Sequence, residues 1–148
     1  MIETNPTADA LARACAAAML DRDRMAQSLG ITIEEAREGY ARVAMTVTAT
    51  MINGHDTVHG GVTFTLADTA FAFACNSRNE ANVALQASIS FTKAGRTGDR
   101  LIATAQERVG GKGRTGHYDV DVANQAGEPV ALFRGVCYRI GKSVLVDP

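Results

Sequence analysis

The sequence is short of the features that announce several whole classes of protein. No Cys-x-x-Cys pair occurs, and the three cysteines, Cys15, Cys75 and Cys137, are odd in number and widely spaced. That pattern speaks against a disulfide framework or a thiolate zinc site and fits a reducing, cytoplasmic setting. No stretch approaches the ~20 apolar residues of a membrane span. The start, Met1-Ile2-Glu3, places no basic region ahead of the Ala-rich segment, so a signal peptide is set aside too. Net charge is only −1, which argues against wholesale electrostatic binding of nucleic acid. A Gly-x-Ser-x-Gly elbow is missing, which disfavours a serine hydrolase, and so is the Gly-x-x-x-x-Gly-Lys-Ser/Thr spacing of a Walker phosphate loop. There is no low-complexity tract to suggest disorder.

What is present is an ordinary globular composition, with 46% hydrophobic and 21% charged residues over 148 positions. That length suits a single domain, 1–148, burying roughly two thirds of its unfolded surface. Charge divides unevenly along it. Residues 1–90 hold 6 Lys/Arg against 10 Asp/Glu, and residues 91–148 hold 9 against 6, a balance of −4 and then +3. The basic second part suits a small polyanion such as a nucleotide-bearing cofactor, or simply solvated strand faces.

Taken in order, Ala8 to Leu29 is rich in helix formers and ends at Gly30, which predicts an N-terminal helix within 1–30. Ile31-Thr32-Ile33 and then Tyr40 to Met51 alternate as a half-buried strand, with a bend at Glu38-Gly39. Asn53-Gly54 is a strong turn signal. Four strand-like segments follow at about 82–92, 99–109, 114–124 and 129–140, and connections this short predict antiparallel neighbours. Between the turn and these strands lies one helix-forming run, His59 to Ala74. It is apolar on nearly every side, so the expected architecture is α+β, one long antiparallel sheet curled around one buried helix, with its core over 40–140.

One acid, Asp68, sits inside that helix, where an ionised carboxylate is costly to desolvate unless something pairs with it or uses it. Ahead of it, Gly60 and Gly61 open the helix. Glycines there let a ligand approach the backbone, and the free N–H groups of a first helical turn stabilise an anion, as an oxyanion hole requires; a tight loop entering a helix is the plainer account. His55, Asp56 and His59 lack the helical spacing of a metal site, so no metal is expected. Eight residues, or roughly 12 Å along a helix axis, separate Gly60 from Asp68. Reacting atoms must approach within ~3–3.5 Å, so both groups can act on one substrate only if they come from different subunits. Two antiparallel copies of the helix across a twofold axis would make two shared sites, which predicts a homodimer.

Asn53-Gly54, His59-Gly60-Gly61, Leu66-Ala67-Asp68-Thr69-Ala70 and Asn76, continued by Asp99-Arg100-Leu101, Gly127 and Ala131-Leu132-Phe133-Arg134-Gly135, resemble the signature of hotdog-fold acyl-coenzyme A thioesterases of the PaaI-like, phenylacetate-pathway branch. The resemblance implies hydrolysis of an acyl-CoA thioester, with phenylacetyl-CoA or a ring-hydroxylated relative as the expected substrate. It implies that the Gly60 N–H polarises the thioester carbonyl, that Asp68 is nucleophile or general base, that His59 orients the site, and that Asn53 positions the reacting groups or water. Gly61, Thr65 and Ala72 are expected against the substrate, in a homodimer with shared sites that assembles further to a homotetramer. Coenzyme A is then part of the substrate and no separate cofactor is needed. Its phosphates need cations and backbone donors, for which Gly111-Lys112-Gly113-Arg114-Thr115 and Arg96, with Arg108, are the candidates. Phe64, Phe71, Phe73, Met45 and Met51 are apolar enough to line an aryl pocket, though core packing accounts for most of them. Two rivals are a hotdog enoyl-CoA hydratase, whose Asp/His pairing is not found here, and a non-catalytic acyl-CoA sensor, for which an unpaired acid would be a liability.

Overall fold

The computed structural model describes residues 6–110 and 113–146. Helices α1 (Pro6–Arg22) and α2 (Arg24–Ser28) come first, then strands β1 (Thr32–Arg37) and β2 (Tyr40–Thr46) and a 3-10 turn at Ala49–Met51. The long helix α3 (Gly60–Cys75) precedes strands β3 (Glu80–Phe91), β4 (Arg100–Val109), β5 (Thr115–Ala123) and β6 (Pro129–Ser143). All six strands form one antiparallel sheet in the order β1-β2-β4-β5-β6-β3. Because α3 contacts every strand, the sheet must curl around it. The expected α+β arrangement is the one observed.

Local chemistry shifts several boundaries. The N-terminal helix expected over residues 8–29 breaks at Asp23, which leaves the helical region (φ −90°, ψ 93°) and accepts the Ala26 N–H at 2.9 Å. A short acid at a helix start satisfies a donor that the helix itself cannot, and here capping outweighs the propensity of its neighbours. The strand expected to reach Met51 stops at Thr46. Apolar alternation continues past it because Val47 and Met51 are buried, not because the chain stays extended. Ile31-Thr32-Ile33 proves to be the start of a longer strand, β1, joined to β2 through Gly39 at φ 69°.

The sheet order corrects one expectation outright. β3 and β4 are not neighbours: β3 pairs only with β6, at an edge, while β4 lies between β2 and β5. The connection 92–99 spans up to roughly 26 Å when extended, enough to pass two intervening strands spaced ~4.8 Å apart. A short connection therefore fixes the antiparallel sense of two strands in a curled sheet without making them partners.

Leu66, Ala67, Ala70, Phe71, Phe73 and Ala74 of α3 are buried against Val43, Met45, Leu101, Val120 and Phe133 of the sheet. Phe71 is the pivot: its ring meets Tyr118 edge-on at 5.6 Å and Phe133 at 5.8 Å. Gly135 on β6 makes room for it, since a Cβ there would stand 2.8 Å from the Phe71 ring. With the ring held on both sides, it cannot retreat from an added methyl. We therefore expect Gly135→Ala to lower stability by roughly 1–3 kcal/mol, the usual cost of overpacking, read as a lower denaturation midpoint at unchanged m-value.

Candidate functional site

The loop entering α3 is tied down at several points. Ile52 bridges Val58, the His59 N–H donates to the Met51 carbonyl at 2.8 Å, and the Val58 N–H donates to the Gly95 carbonyl at 2.9 Å. Asn53 organises the turn between them. Its side-chain oxygen accepts from the His55 N–H at 2.9 Å, the Thr57 N–H at 3.3 Å and the Thr57 hydroxyl at 3.2 Å. Asp56 takes the left-handed conformation, φ 61°, that short polar side chains tolerate. The Asn53 oxygen is thus committed to the loop, and its amide N–H groups meet no acceptor among the described residues.

His59 is the N-cap of α3, its Nδ1 accepting the Gly61 N–H at 2.9 Å. The imidazole therefore carries its proton on Nε2 in this arrangement. Of the two glycine N–H groups at this helix end, Gly61's is claimed by His59, and Gly60's finds no acceptor among the described residues. Gly60 and Asn53 border one open cleft of about 400 Å³, together with Val58, Thr63, Phe91 and Val130. A free backbone donor at the positive end of a helix, beside an unclaimed amide, is an arrangement able to bind a carbonyl oxygen that gains negative charge.

Asp68 is half-buried rather than enclosed. The sheet covers most of α3 but leaves a stripe, Gly61, Thr65, Asp68 and Ala72, incompletely covered. Along it the polar groups turn back on the helix: the Thr65 hydroxyl donates to the Gly61 carbonyl at 2.8 Å, and the Ala72 carbonyl accepts from the Asn76 amide at 2.8 Å. Asp68 alone has no hydrogen-bond or ion-pair partner among the described residues. Burial, and then the negative charge of Asp23, push its carboxyl above the ordinary range.

The residues predicted for coenzyme A separate along the helix. Arg96 stands at the Gly60 end, its guanidinium 3.4 Å from the Asp56 carbonyl. Gly113 and Thr115 border a small recess with Cys75, Arg78 and Gly116 at the other end of α3, roughly 22 Å away by helix length. Arg114 is exposed beside them, while Gly111 and Lys112 lie outside the described residues. Arg108 is paired with Asp119 at 3.5 Å. Of the apolar candidates, Phe71, Phe73, Met45 and Met51 are core, and only Phe64 is partly exposed, edge-on to Phe133 at 5.3 Å. Cys75 is buried, and its hydrogen bond with Cys137 together with burial drives its thiol well above the normal range, which suits packing and not nucleophilic attack. Reasoning from residue types missed Asp23 and Phe91. Asp23 gave no signal, being far from Asp68 in the chain; Phe91 gave one, the alternation Ala87, Ile89, Phe91 along β3.

This fold and helix are those of the hotdog thioesterases. The profile of the thioesterase superfamily matches residues 55–131, and the chain is 53% identical over 127 residues to acyl-coenzyme A thioesterase PaaI of Escherichia coli strain K12, covering 86% of this chain and 90% of that one. A putative esterase of Archaeoglobus fulgidus is 38% identical, over 84% of this chain and 80% of its own length. The structure of the E. coli PaaI protein, from the phenylacetic acid degradation operon, superposes with a TM-score of 0.89 at 51% identity, over 91% of this chain and 97% of that one. A Streptococcus pneumoniae thioesterase protein solved with coenzyme A gives 0.72 at 31% identity, over 76% and 90%. The chain belongs to the thioesterase superfamily, in its PaaI-like branch, and is a thioesterase.

An unpaired, desolvated carboxylate makes a testable demand on stability. The folded state holds the Asp68 proton more tightly than the unfolded chain does, so stability falls as pH rises through the raised pKa and stays reduced above it. Asp68→Asn should therefore melt at a higher temperature than wild type at pH 7, and the gap should narrow on acidification. Equal melting temperatures at pH 7 would show that Asp68 carries no such strain.

Proposed function

We propose that this protein hydrolyses acyl-coenzyme A thioesters of the arylacetyl class, phenylacetyl-CoA or hydroxyphenylacetyl-CoA, to the free acid and coenzyme A. The observation that carries this reading is the division of α3: an unclaimed N–H at Gly60 at one end, and an unpaired acid on the stripe that the sheet leaves open. The Gly60 N–H, joined by the Asn53 amide, receives the thioester oxygen as it becomes an oxyanion. Asp68 supplies the other half, either attacking the carbonyl carbon so that the C–S bond breaks, coenzyme A leaves as its thiolate and water then cleaves the anhydride, or taking a proton from an attacking water whose addition expels the same thiolate. Burial raises its carboxyl above the ordinary range, which makes it a stronger proton acceptor than an exposed aspartate. His59 fixes the donor indirectly, by occupying the Gly61 N–H and leaving Gly60's free. Neither route calls for a metal or a separate cofactor.

The two groups are roughly 12 Å apart on one rigid helix, so the reading includes a homodimer. Two observations support it. The stripe holding Asp68 is lined by the small residues Gly61, Thr65 and Ala72, over which a second helix can approach closely. Strand β3 is a 12-residue edge with Val83 and Leu85 exposed, an aggregation liability in a monomer that pairing with a second copy removes. Antiparallel α3 helices would also bring the Gly113–Thr115 end of one subunit towards the Gly60 and Arg96 end of the other, reuniting the cations proposed for the coenzyme A phosphates. Further pairing of dimers to a homotetramer is part of the same proposal. A cytoplasmic location fits three unpaired cysteines. The arylacetyl preference and a place in phenylacetate degradation draw on the similarity to the E. coli protein and its operon.

Gly60 is the first residue of α3, where proline is tolerated, and His59 at ψ 131° already has the extended backbone that precedes proline. Gly60→Pro thus deletes the N–H, and Gly60→Ala, which adds the same Cβ 3.0 Å from the Phe91 ring but keeps the N–H, is the control for that contact. With phenylacetyl-CoA we expect Gly60→Pro to lose about 10²–10³ in kcat, as when one oxyanion donor is removed, with Gly60→Ala far less affected; Asp68→Asn should be inactive. Co-expressed Asp68→Asn and Gly60→Pro subunits should regain thiol release. An active Asp68→Asn protein would sink the chemistry, and absence of recovery would sink the shared site.

A further inference from the structure

Phe91 ends β3 with its ring laid over the start of α3. A methyl group at Gly60 would stand 3.0 Å from Phe91 Cζ and 3.4 and 3.5 Å from Cε1 and Cε2. The register explains why the ring is there. β3 pairs Ala87 with Gly135, Ile89 with Phe133 and Phe91 with Ala131, so all three β3 side chains point to the concave face. Ala87 and Ile89 close on the core, whereas Phe91 projects beyond it and is 56% exposed.

A phenylalanine with over half its surface in water, touching the backbone of an unclaimed donor, contributes little to the core and leaves an apolar face free for contact. The cleft it borders has an apolar part beside its polar and charged lining. Val58 and Val130, both buried, form that part; the cation lining the same cleft, Lys93, is engaged by Glu128 at 2.5 Å. Such a wall suits a hydrocarbon group. A carbonyl held at the Gly60 N–H has its acyl α-carbon one bond away, so a phenyl group on that carbon falls within the ~4.5–7 Å at which aromatic rings contact edge-on or offset.

We propose that Phe91 determines acyl specificity: its exposed ring is the surface against which the aryl group of an arylacetyl thioester packs. The assignment rests on the thioester reading of the Gly60 end. It is tested by comparing Phe91→Ala and Phe91→Leu with wild type on phenylacetyl-CoA and acetyl-CoA, with free coenzyme A as inhibitor and unfolding midpoints as the check on folding. With the midpoint held, Phe91→Ala should lower kcat/KM for phenylacetyl-CoA about tenfold, mostly through KM, and change that for acetyl-CoA less than about threefold. Inhibition by coenzyme A should stay at the wild-type level, and Phe91→Leu should show the same selective loss. Equal losses on both substrates, in either variant, would make the ring a support of the α3 start and overturn the assignment, as would weakened coenzyme A inhibition, which would place the ring against the pantetheine arm. If wild type releases thiol from no acyl-CoA, the proposed function fails and this inference with it; an active wild type whose Phe91 variants match it on both substrates overturns this inference alone.

Discussion

The fixed rise of an α-helix governs this molecule. Whatever the sheet does, Gly60 and Asp68 stay roughly 12 Å apart because about 1.5 Å separates successive residues along the axis. The fold adds to that rigidity. Phe71, wedged between Tyr118 and Phe133 over Gly135, locks α3 into the sheet, so the helix can neither slide nor rotate to bring its two ends to one place. A sheet curling around a single helix also cannot cover its whole circumference. The side left open carries Asp68, so the same geometry that separates acid from donor within the chain leaves the acid reachable from outside it.

Much of this was legible from residue types, and what was not has identifiable physical causes. The buried helix, its glycine entry and its single acid stand close together in sequence and rest on 3.6-residue periodicity, a local signal. The break at Asp23 was hidden because helix formers lie on both sides of a capping residue, and the end of β2 was hidden because Val47 and Met51 keep an inward alternation after the chain has turned. Sheet order was misread between β3 and β4, since connection length constrains strand sense but not adjacency in a curled sheet. Gly60, His59 and Asn53 stand together at the entry of α3 and Asp68 lies about two turns along it, but which donors are free is a matter of hydrogen bonds. Only coordinates reveal that His59 takes the Gly61 N–H and that the Asn53 oxygen is spoken for by its own loop.

Glu107 and Asp68 are both drawn partly out of water, and they are treated in opposite ways. Glu107, near the Cys75 end of α3, accepts from both terminal guanidinium nitrogens of Arg78 at 2.6 and 3.1 Å and from the Tyr118 hydroxyl at 2.7 Å. Burial pushes its carboxyl up, but these donors outweigh burial and hold it below the ordinary range. Burial, and then the same contact, raise Tyr118, as expected for a buried phenol bonded to a carboxylate. Asp68 has no such donors among the described residues, and its carboxyl is raised, by burial first and by Asp23 second. Glu107 shows that this fold has the means to neutralise a desolvated acid where the acid is structural. Leaving Asp68 without them keeps its oxygens free, at a cost in stability that a purely structural residue on that stripe would not impose.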